Sequence, residues 1–383
     1  MKFTCAQPTL AKALAIVQPA AGKTMLSNLD KILLSAEDEK LKLEATDMAL
    51  AIRCHIPATV QQSGSTASPA ELLADVVKAL DDNDVTAELN DESQVLTLNC
   101  GRHTVRIHGV PAQEFPAVPA PTDEPTATIA PDILRNMIDQ VASAASTSGD
   151  RPVLNSAFLS SSSELTMVAA DGYRLARAVM KTEEELPNNL GVIIPIKAIK
   201  KLQQLIADEK QPVALYVGED FVAFRIQGGQ GKLADITEID LVARAIDGSY
   251  PDYKQLIPQS WTTQAVMGLE ELTDALHPML ALVRDSNMFA VTLSFSAGST
   301  TLSNKKDESQ GYGRATVVAT IQGQEQRVAL NPYYLRDALR SMSAAGASRV
   351  TLEMSQANYP VVVRPADDNR CLYLIMPIGP WED

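Results

Sequence analysis

Two rhythms of apolar residues alternate along the chain, and the alternation repeats three times in 383 residues, in thirds of roughly 128. In the first third, Leu10, Leu14 and Val17 recur at helical spacing behind Pro8-Thr9. In the second, Ile133, Met137, Ile138 and Val141 follow Pro131, and in the third Leu269, Leu272, Leu276 and Leu280 keep the same spacing. Strand-like runs come after each helix: Lys31-Ile32-Leu33-Leu34 and Leu41-Lys42-Leu43-Glu44, then Ala157-Phe158-Leu159 and Leu165-Thr166-Met167-Val168, then Ala290 to Phe295. A second helix is predicted near the middle of each third. Ser68-Pro69-Ala70-Glu71 reads as a capping box with proline at the first helical position, ahead of Leu72, Leu73, Val76, Val77 and Leu80. Pro195 precedes Ile196, Ile199, Leu202, Leu205 and Ile206, and Asn331-Pro332 precedes Leu335, Ala338, Leu339 and Met342. Closing strands follow at Leu96 to Asn99, Val213 to Tyr216, Arg349 to Glu353 and Cys371 to Ile375. The first two thirds end alike, in Glu114-Phe115-Pro116 and Ser249-Tyr250-Pro251, and the proline-rich run from Pro116 to Pro121 reads as a linker. The expected architecture is α+β: three repeated domains, at 1–124, 125–252 and 253–383, each with two helices packed on antiparallel sheet.

The polar faces of those helices carry the next signal. Lys197, Lys200 and Lys201 sit at i, i+3 and i+4, opposite the Ile/Leu stripe, and Arg336 and Arg340 lie one turn apart on the last helix. Lys12, Lys78, Arg135 and Arg284 add one cation each to the other four. One such face is ordinary solvated helix; its recurrence on equivalent helices points to a shared basic surface. The chain as a whole is acidic, with 33 Lys and Arg against 47 Asp and Glu, a formal charge of −14. That excludes coating nucleic acid through bulk positive charge but leaves room for a local basic surface. Hydrophobic residues at 45% and charged residues at 21% fit a globular chain and not a disordered one. No apolar stretch approaches the roughly 18–20 residues that span a bilayer, so no membrane association is expected. Gln7, Pro8 and Lys12 break any signal-peptide run. Four cysteines cannot build a disulfide framework at this length, so reduced thiols and a cytoplasmic location are expected.

Enzyme chemistry finds no support. There is no Gly-x-Ser-x-Gly elbow, and only His55, His103, His108 and His277 are available as bases. Gly22-Lys23-Thr24 resembles the end of a phosphate-binding loop, but Val17 stands where the earlier glycine belongs. Gly228-Gly229-Gln230-Gly231-Lys232 fails in the same way and reads as a hairpin turn. Cys54-His55 and Cys100-x-x-His103 suggest zinc, yet residues three apart on a strand face opposite ways. Asp82-Asn83-Asp84 lacks the glycine and distal Glu of a calcium loop. No catalytic residue, metal or cofactor is expected. On the residues alone, an enzyme with an unrecognised site and an extracellular repeat adhesin remain the alternatives.

Several segments together resemble the bacterial DNA polymerase III beta subunit family, the sliding clamps. They are Met1-Lys2-Phe3-Thr4, Arg151-Pro152-Val153-Leu154-Asn155, Ala170-Asp171-Gly172-Tyr173-Arg174-Leu175-Ala176, Ile246 to Tyr253, and Leu374-Ile375-Met376-Pro377-Ile378. The resemblance covers essentially the whole chain. It implies three DNA-clamp domains and a head-to-tail homodimer closing a ring around double-stranded DNA without sequence preference. It also implies no catalysis, and partners that include the replicative polymerase, the clamp loader and repair proteins.

The resemblance also implies residue roles. Lys23 and Lys197 match family positions at the duplex, to which helix geometry adds Lys200, Lys201, Arg336 and Arg340 as DNA-facing residues. A pocket for a short Leu- or Phe-rich peptide would draw on Leu154, on Ala170, Gly172, Tyr173, Arg174 and Leu175, on Pro251, Gln255 and Leu256, on Asn358 and Pro360, and on Met376, Pro377 and Ile378. Arg174 and Gln255 would bond the polar groups of the peptide. The ring interface would set Val105 and Ile107 against Leu276, Leu280 and Leu282, with Pro278 bending the helix that carries those leucines. Departures from the family pattern are Leu72-Leu73 and Gln255, each where a basic residue is common, Gly149 in place of a polar residue, and the tail Gly379 to Asp383.

Overall fold

The structure, a computed structural model, describes residues 1–383 except 24–27, 122–123, 149–150, 183–185, 188, 284–289, 305–310, 357 and 379–383. Arg284, Gly149 and the tail from Gly379 to Asp383 therefore lie outside the described residues. Six α-helices appear among the described residues, two for each third: α1 (Gln7–Val17), α2 (Ala70–Ala79), α3 (Pro131–Val141), α4 (Ile196–Leu205), α5 (Leu269–Val283) and α6 (Pro332–Ala344). Their apolar stripes form the core. Leu10, Leu14 and Val17 of α1 are buried, as are Met137, Ile138 and Val141 of α3 and Leu335, Ala338, Leu339 and Met342 of α6. None of the helices is long and apolar enough to cross a membrane.

The strands fall into two compact units, residues 1–132 with 200–245 and residues 133–199 with 246–383. In the first, a five-stranded sheet runs in the order Thr59–Gln62, Lys2–Ala6, Asp84–Asn90, Val95–Cys100, His103–His108. A nine-stranded sheet of the same unit has Leu50–Pro57 beside Glu238–Arg244, so strands of the first and second thirds share one hydrogen-bonded ladder, with Leu50 opposite Ala243 and His55 opposite Glu238. The second unit repeats the device in a twelve-stranded sheet, where Arg174–Met180 pairs with Cys371–Ile375. All of these pairings are antiparallel.

The ladder at Leu50–Pro57 is reinforced by a buried charge cluster. Arg53 donates Nε to Glu44 Oε2 at 2.5 Å and Nη1 to Asp240 Oδ2 at 3.3 Å. Arg225 donates Nε to Asp240 Oδ1 at 2.8 Å and Nη2 to Oδ2 at 3.1 Å, and lies 5.3 Å from the Tyr216 ring centroid. The hydrogen bonds to Asp240 and the nearby carboxylates hold the Arg225 pKa above its usual range, against the opposing effect of burial. Asp240, with a side chain only 1% exposed, joins the two guanidinium groups.

Two expectations from the sequence need correction. Ser68 is no helix cap: it is buried on the strand Gly64–Pro69, opposite Ile32, and Pro69 occupies the cap position with no side-chain bond. Leu72 does not belong to the apolar stripe of α2; Leu73 and Val77, four apart, point inward, and Leu72, about 100° round the helix from Leu73, is 50% exposed. Pro278 lies inside α5, which continues to Val283. Both Pro278 and Asp274, whose carbonyl loses its partner, are exposed to water, while Leu272, Leu276, Met279 and Val283 keep the helix seated.

Removing one member of a buried charge cluster leaves the others unpaired in low dielectric. Asp240→Ala is expected to destabilise the protein by about 3–5 kcal/mol, read as a lower urea midpoint, because both Arg53 and Arg225 lose their shared partner.

Candidate functional site

The turn between strands Leu165–Ala170 and Arg174–Met180 builds one wall of a pocket. Asp171 folds it: Oδ1 accepts from the backbone N–H groups of Tyr173 at 2.8 Å and Arg174 at 3.0 Å. Gly172 stands at φ +96°, a conformation that glycine adopts without steric cost. The turn drives the Tyr173 ring into water, 67% exposed. Arg174 points back and is tightly held. Its Nε donates to Asp171 Oδ2 at 3.0 Å, and its Nη1 donates to Asp337 Oδ2 at 2.6 Å and Tyr373 Oη at 3.3 Å. The guanidinium also lies 4.3 Å from the Tyr334 ring centroid. Burial pushes the Tyr373 phenol up to about 12, against the pull of Arg174.

These groups border a cavity of about 380 Å³. Ala170, Leu175 and Leu374 of its lining belong to an apolar cluster with Val168, Tyr253, Val362 and Leu372, against which Leu154 packs. Leu256, Tyr359 and Met376 join Tyr173 as large apolar side chains exposed around the mouth. Of the pocket residues expected from sequence, Ala170, Gly172, Tyr173, Arg174, Leu175, Gln255, Leu256, Asn358, Pro360 and Met376 line the cavity. Leu154, packed against that cluster, and Pro251, Pro377 and Ile378 are not among the lining residues. The Ile378 N–H instead bonds the Ala329 carbonyl at 2.9 Å. Pro258, Tyr359 and Leu374 line it without having been expected. Tyr359 sits between the expected Asn358 and Pro360, and Leu374, directly opposite Leu175 in the ladder, stands two places before the expected Met376, so both were within reach of the sequence. Both residues expected to bond the peptide also make bonds within the protein. Nε and Nη1 of Arg174 serve the wall, and the Gln255 amide donates to Asp252 Oδ2 at 2.7 Å within its own turn.

The basic residues divide by environment. Lys23, Lys197, Lys200 and Arg340 are exposed. Lys201 is half-buried, and desolvation lowers its pKa. Arg336 donates Nε and Nη2 to Asp337 Oδ1 at 3.1 and 2.9 Å and lies 5.3 Å from the Tyr333 ring centroid. Asp337 thus holds Arg336 with one oxygen and Arg174 with the other.

Of the interface residues, Val105 and Ile107 lie on His103–His108, the edge strand of the five-stranded sheet. Ile107 is buried under its own sheet and Val105 is half-exposed. Leu280 and Leu282 are half-exposed, but Leu276 is 1% exposed in the core of its own unit and is unavailable to a partner, which corrects its expected role. A second open edge was not anticipated. In the strand Arg314–Gly323, residues from Arg314 to Val318 pair with Ser299–Asn304 and those from Ala319 with Thr263–Gly268, so each half has a free side. Val318 there is 77% exposed. Among the described residues, no group of three or more His, Cys, Asp or Glu side chains is placed to hold a metal ion.

Family models for the N-terminal, central and C-terminal domains of the DNA polymerase III beta subunit match residues 1–119, 128–252 and 254–379. The chain belongs to the DNA polymerase III beta subunit family. The beta sliding clamp of Bacillus subtilis is 27% identical over 390 residues, covering 99% of each chain. That of Synechococcus elongatus is 29% identical over 389 residues, again 99% of each. The crystal structure of the DNA polymerase sliding clamp from Bacillus subtilis superposes with a TM-score of 0.91 at 26% identity, covering 100% of both chains. The repeat seen in the sequence is the repeat of this family, whose members are accessory to a polymerase.

The Arg174–Asp337 pair predicts a coupled effect. Arg174→Ala and Asp337→Ala are each expected to lower stability, and the double variant less than their sum, with a coupling of about 0.5–3 kcal/mol in a urea-unfolding cycle. Strict additivity would show that the pair contributes nothing to the wall.

Proposed function

We propose that two copies of this chain close head to tail into a ring around duplex DNA and that the Tyr173 cavity tethers polymerase and other partners to it. Retention then follows from topology. A closed ring need not grip bases, and weak phosphate contacts through Lys and Arg carry no sequence information and permit sliding. Lys23, Lys197, Lys200 and Arg340 are the exposed cations that supply those contacts, with the half-buried Lys201 beside them. Arg336 is already paired with Asp337 and contributes less. The net charge of −14 keeps duplex away from the remaining exterior.

The tethering half of this reading is carried by one observation: a 380 Å³ apolar cavity whose rim exposes Tyr173, Leu256, Tyr359 and Met376. Exposed large hydrophobics gathered on one concavity mark an interaction site. Its occupant is a short segment with Leu or Phe anchors, borne by the replicative polymerase, the clamp loader and repair proteins. Met376 adapts to different anchors. A few buried anchors give affinity on the order of micromolar, which suits partners that exchange. The ring is closed by strand addition between His103–His108 of one copy and the open half of Arg314–Gly323 of the next, flanked by Leu280 and Leu282. Its place is the cytoplasm, where four free and buried thiols stay reduced.

Four measurements test these parts separately. Sedimentation at micromolar concentration is expected to give a dimer, and a monomeric mass would overturn the ring. Protein loaded on nicked circular DNA should be retained and should run off once the circle is linearised. Lys197→Ala with Lys201→Ala should weaken DNA association equally for all sequences and flatten its salt dependence; an unchanged slope would remove α4 from the DNA face. Leu256→Asp is expected to cost a Leu/Phe peptide about 2 kcal/mol in fluorescence anisotropy while leaving the dimer intact.

A further inference from the structure

The wall of the Tyr173 pocket is built twice. In the first compact unit, the turn between Lys40–Thr46 and Leu50–Pro57 repeats its backbone bonds, with Leu50 in the place of Arg174 and so without that side chain's bonds. Asp47 Oδ1 accepts from the N–H groups of Ala49 at 3.1 Å and Leu50 at 2.8 Å, as Asp171 does for Tyr173 and Arg174. The Asp47 N–H bonds the Leu50 carbonyl at 3.1 Å, and the Asp171 N–H bonds that of Arg174 at 3.2 Å. Each turn then accepts one bond from the strand across the seam: Arg244 N–H to the Ala49 carbonyl at 3.0 Å, Met376 N–H to that of Tyr173 at 2.8 Å. Met48 takes the place of Gly172, and Arg244 the place of Met376.

Beside this turn lies a groove of about 250 Å³ whose lining includes Met48, Val118, Phe221, Val242 and Arg244. Beneath it is an apolar cluster of Ala51, Tyr216, Ala223 and Val242, with Val118 and Phe221 packed against it. Met48 stands at φ +72°, where an unbranched non-glycine residue is strained, and its side chain is 61% exposed at the mouth. Strain of this kind concentrates at ligand clamps, and a methionine held out over an apolar cluster is a flexible lid for an apolar anchor.

We infer that this groove is a second docking site, for a partner segment with one apolar anchor followed by a carboxylate. The anchor fills the space between Met48, Val118 and Phe221. The carboxylate is chosen by Arg244, exposed at the position where the other pocket presents an apolar methionine. Asp220 also borders the groove, next to Phe221, which pairs with Arg244 in the ladder. The inference rests on the reading of the Tyr173 cavity as a peptide pocket, because it extends that design to the other seam. The smaller volume predicts a weaker site that one anchor fills.

The 12 methionines offer the test. In the full chain labelled with ¹³C at the methionine methyl groups, Met48→Leu and Met376→Leu spectra identify the two reporter signals. The probe is a synthetic peptide of two leucines and a phenylalanine beside one aspartate. Both signals are expected to shift on titration, Met376 first and Met48 at higher concentration. Arg244→Glu should weaken only the Met48 event, by about two- to fivefold, and a peptide with lysine in place of the aspartate should recover it. A Met48 signal that stays still while Met376 shifts would overturn the second site and leave the first pocket standing. If neither moves, both readings fall. A Met48 shift that grows with protein concentration without peptide would assign the groove to a second copy of the chain and overturn the proposal.

Discussion

An open edge of an antiparallel sheet is a row of unpaired donors and acceptors, and the disposal of edges governs this molecule. Leu50–Pro57 ends the sheet of the first third and is covered by Glu238–Arg244 of the second; Arg174–Met180 is covered in turn by Cys371–Ile375 of the third. Each covering bond ladder carries the chain from one repeat to the next without an exposed rim. Both seams need a tight turn beside the shared strands, and both obtain it from an aspartate that bonds two successive N–H groups. The grooves are by-products of that geometry: a turn that must project past the end of a ladder leaves a hollow next to it. Among the edges left uncovered, His103–His108 and half of Arg314–Gly323 are those that a second copy would complete in the proposed ring.

Charge reinforces the two seams in different ways. At the first, Asp240 sits between Arg53 and Arg225 inside the sheet and welds three strands. At the second, Asp337 reaches from α6 to Arg174 and supports the turn from behind. The first arrangement stiffens a joint. The second keeps a pocket wall upright while its apolar rim stays free. In both, a single carboxylate serves two guanidinium groups, so its loss is felt at two places at once.

Much of this was legible in the chain. Helical stripes and strand alternation have fixed periods, so the three repeats and most of the large helix core residues could be read directly, though Leu134, Met279 and Val283 were not. The Ala170–Leu175 turn was accessible through its family resemblance, and ten of the expected pocket residues meet at one cavity. The failures share a cause. Ser68-Pro69-Ala70-Glu71 carries a cap pattern, but whether Ser68 caps or lies in a ladder depends on its pairing with Ile32, 36 positions earlier in the chain. Leu276 and Leu280 belong to one stripe, and only the packing of α5 decides which is core and which is rim. The Arg174–Asp337 bond joins residues 163 apart, and nothing near either residue announces it. Local pattern fixed the elements, and long-range contacts fixed the roles.

The pocket wall also bears on inhibition. A small molecule seated in the Tyr173 cavity would touch a surface with little freedom to mutate. Gly172 at φ +96° strains any side chain placed there. A change at Asp171 removes two backbone bonds, and a change at Arg174 takes the guanidinium partner from Oδ2 of both Asp171 and Asp337. Escape from such a compound would have to arise at the exposed rim, at Leu256, Tyr359 or Met376, where a binder can be made to avoid contact. Resistance is therefore a matter of which edge of the cavity a ligand leans on.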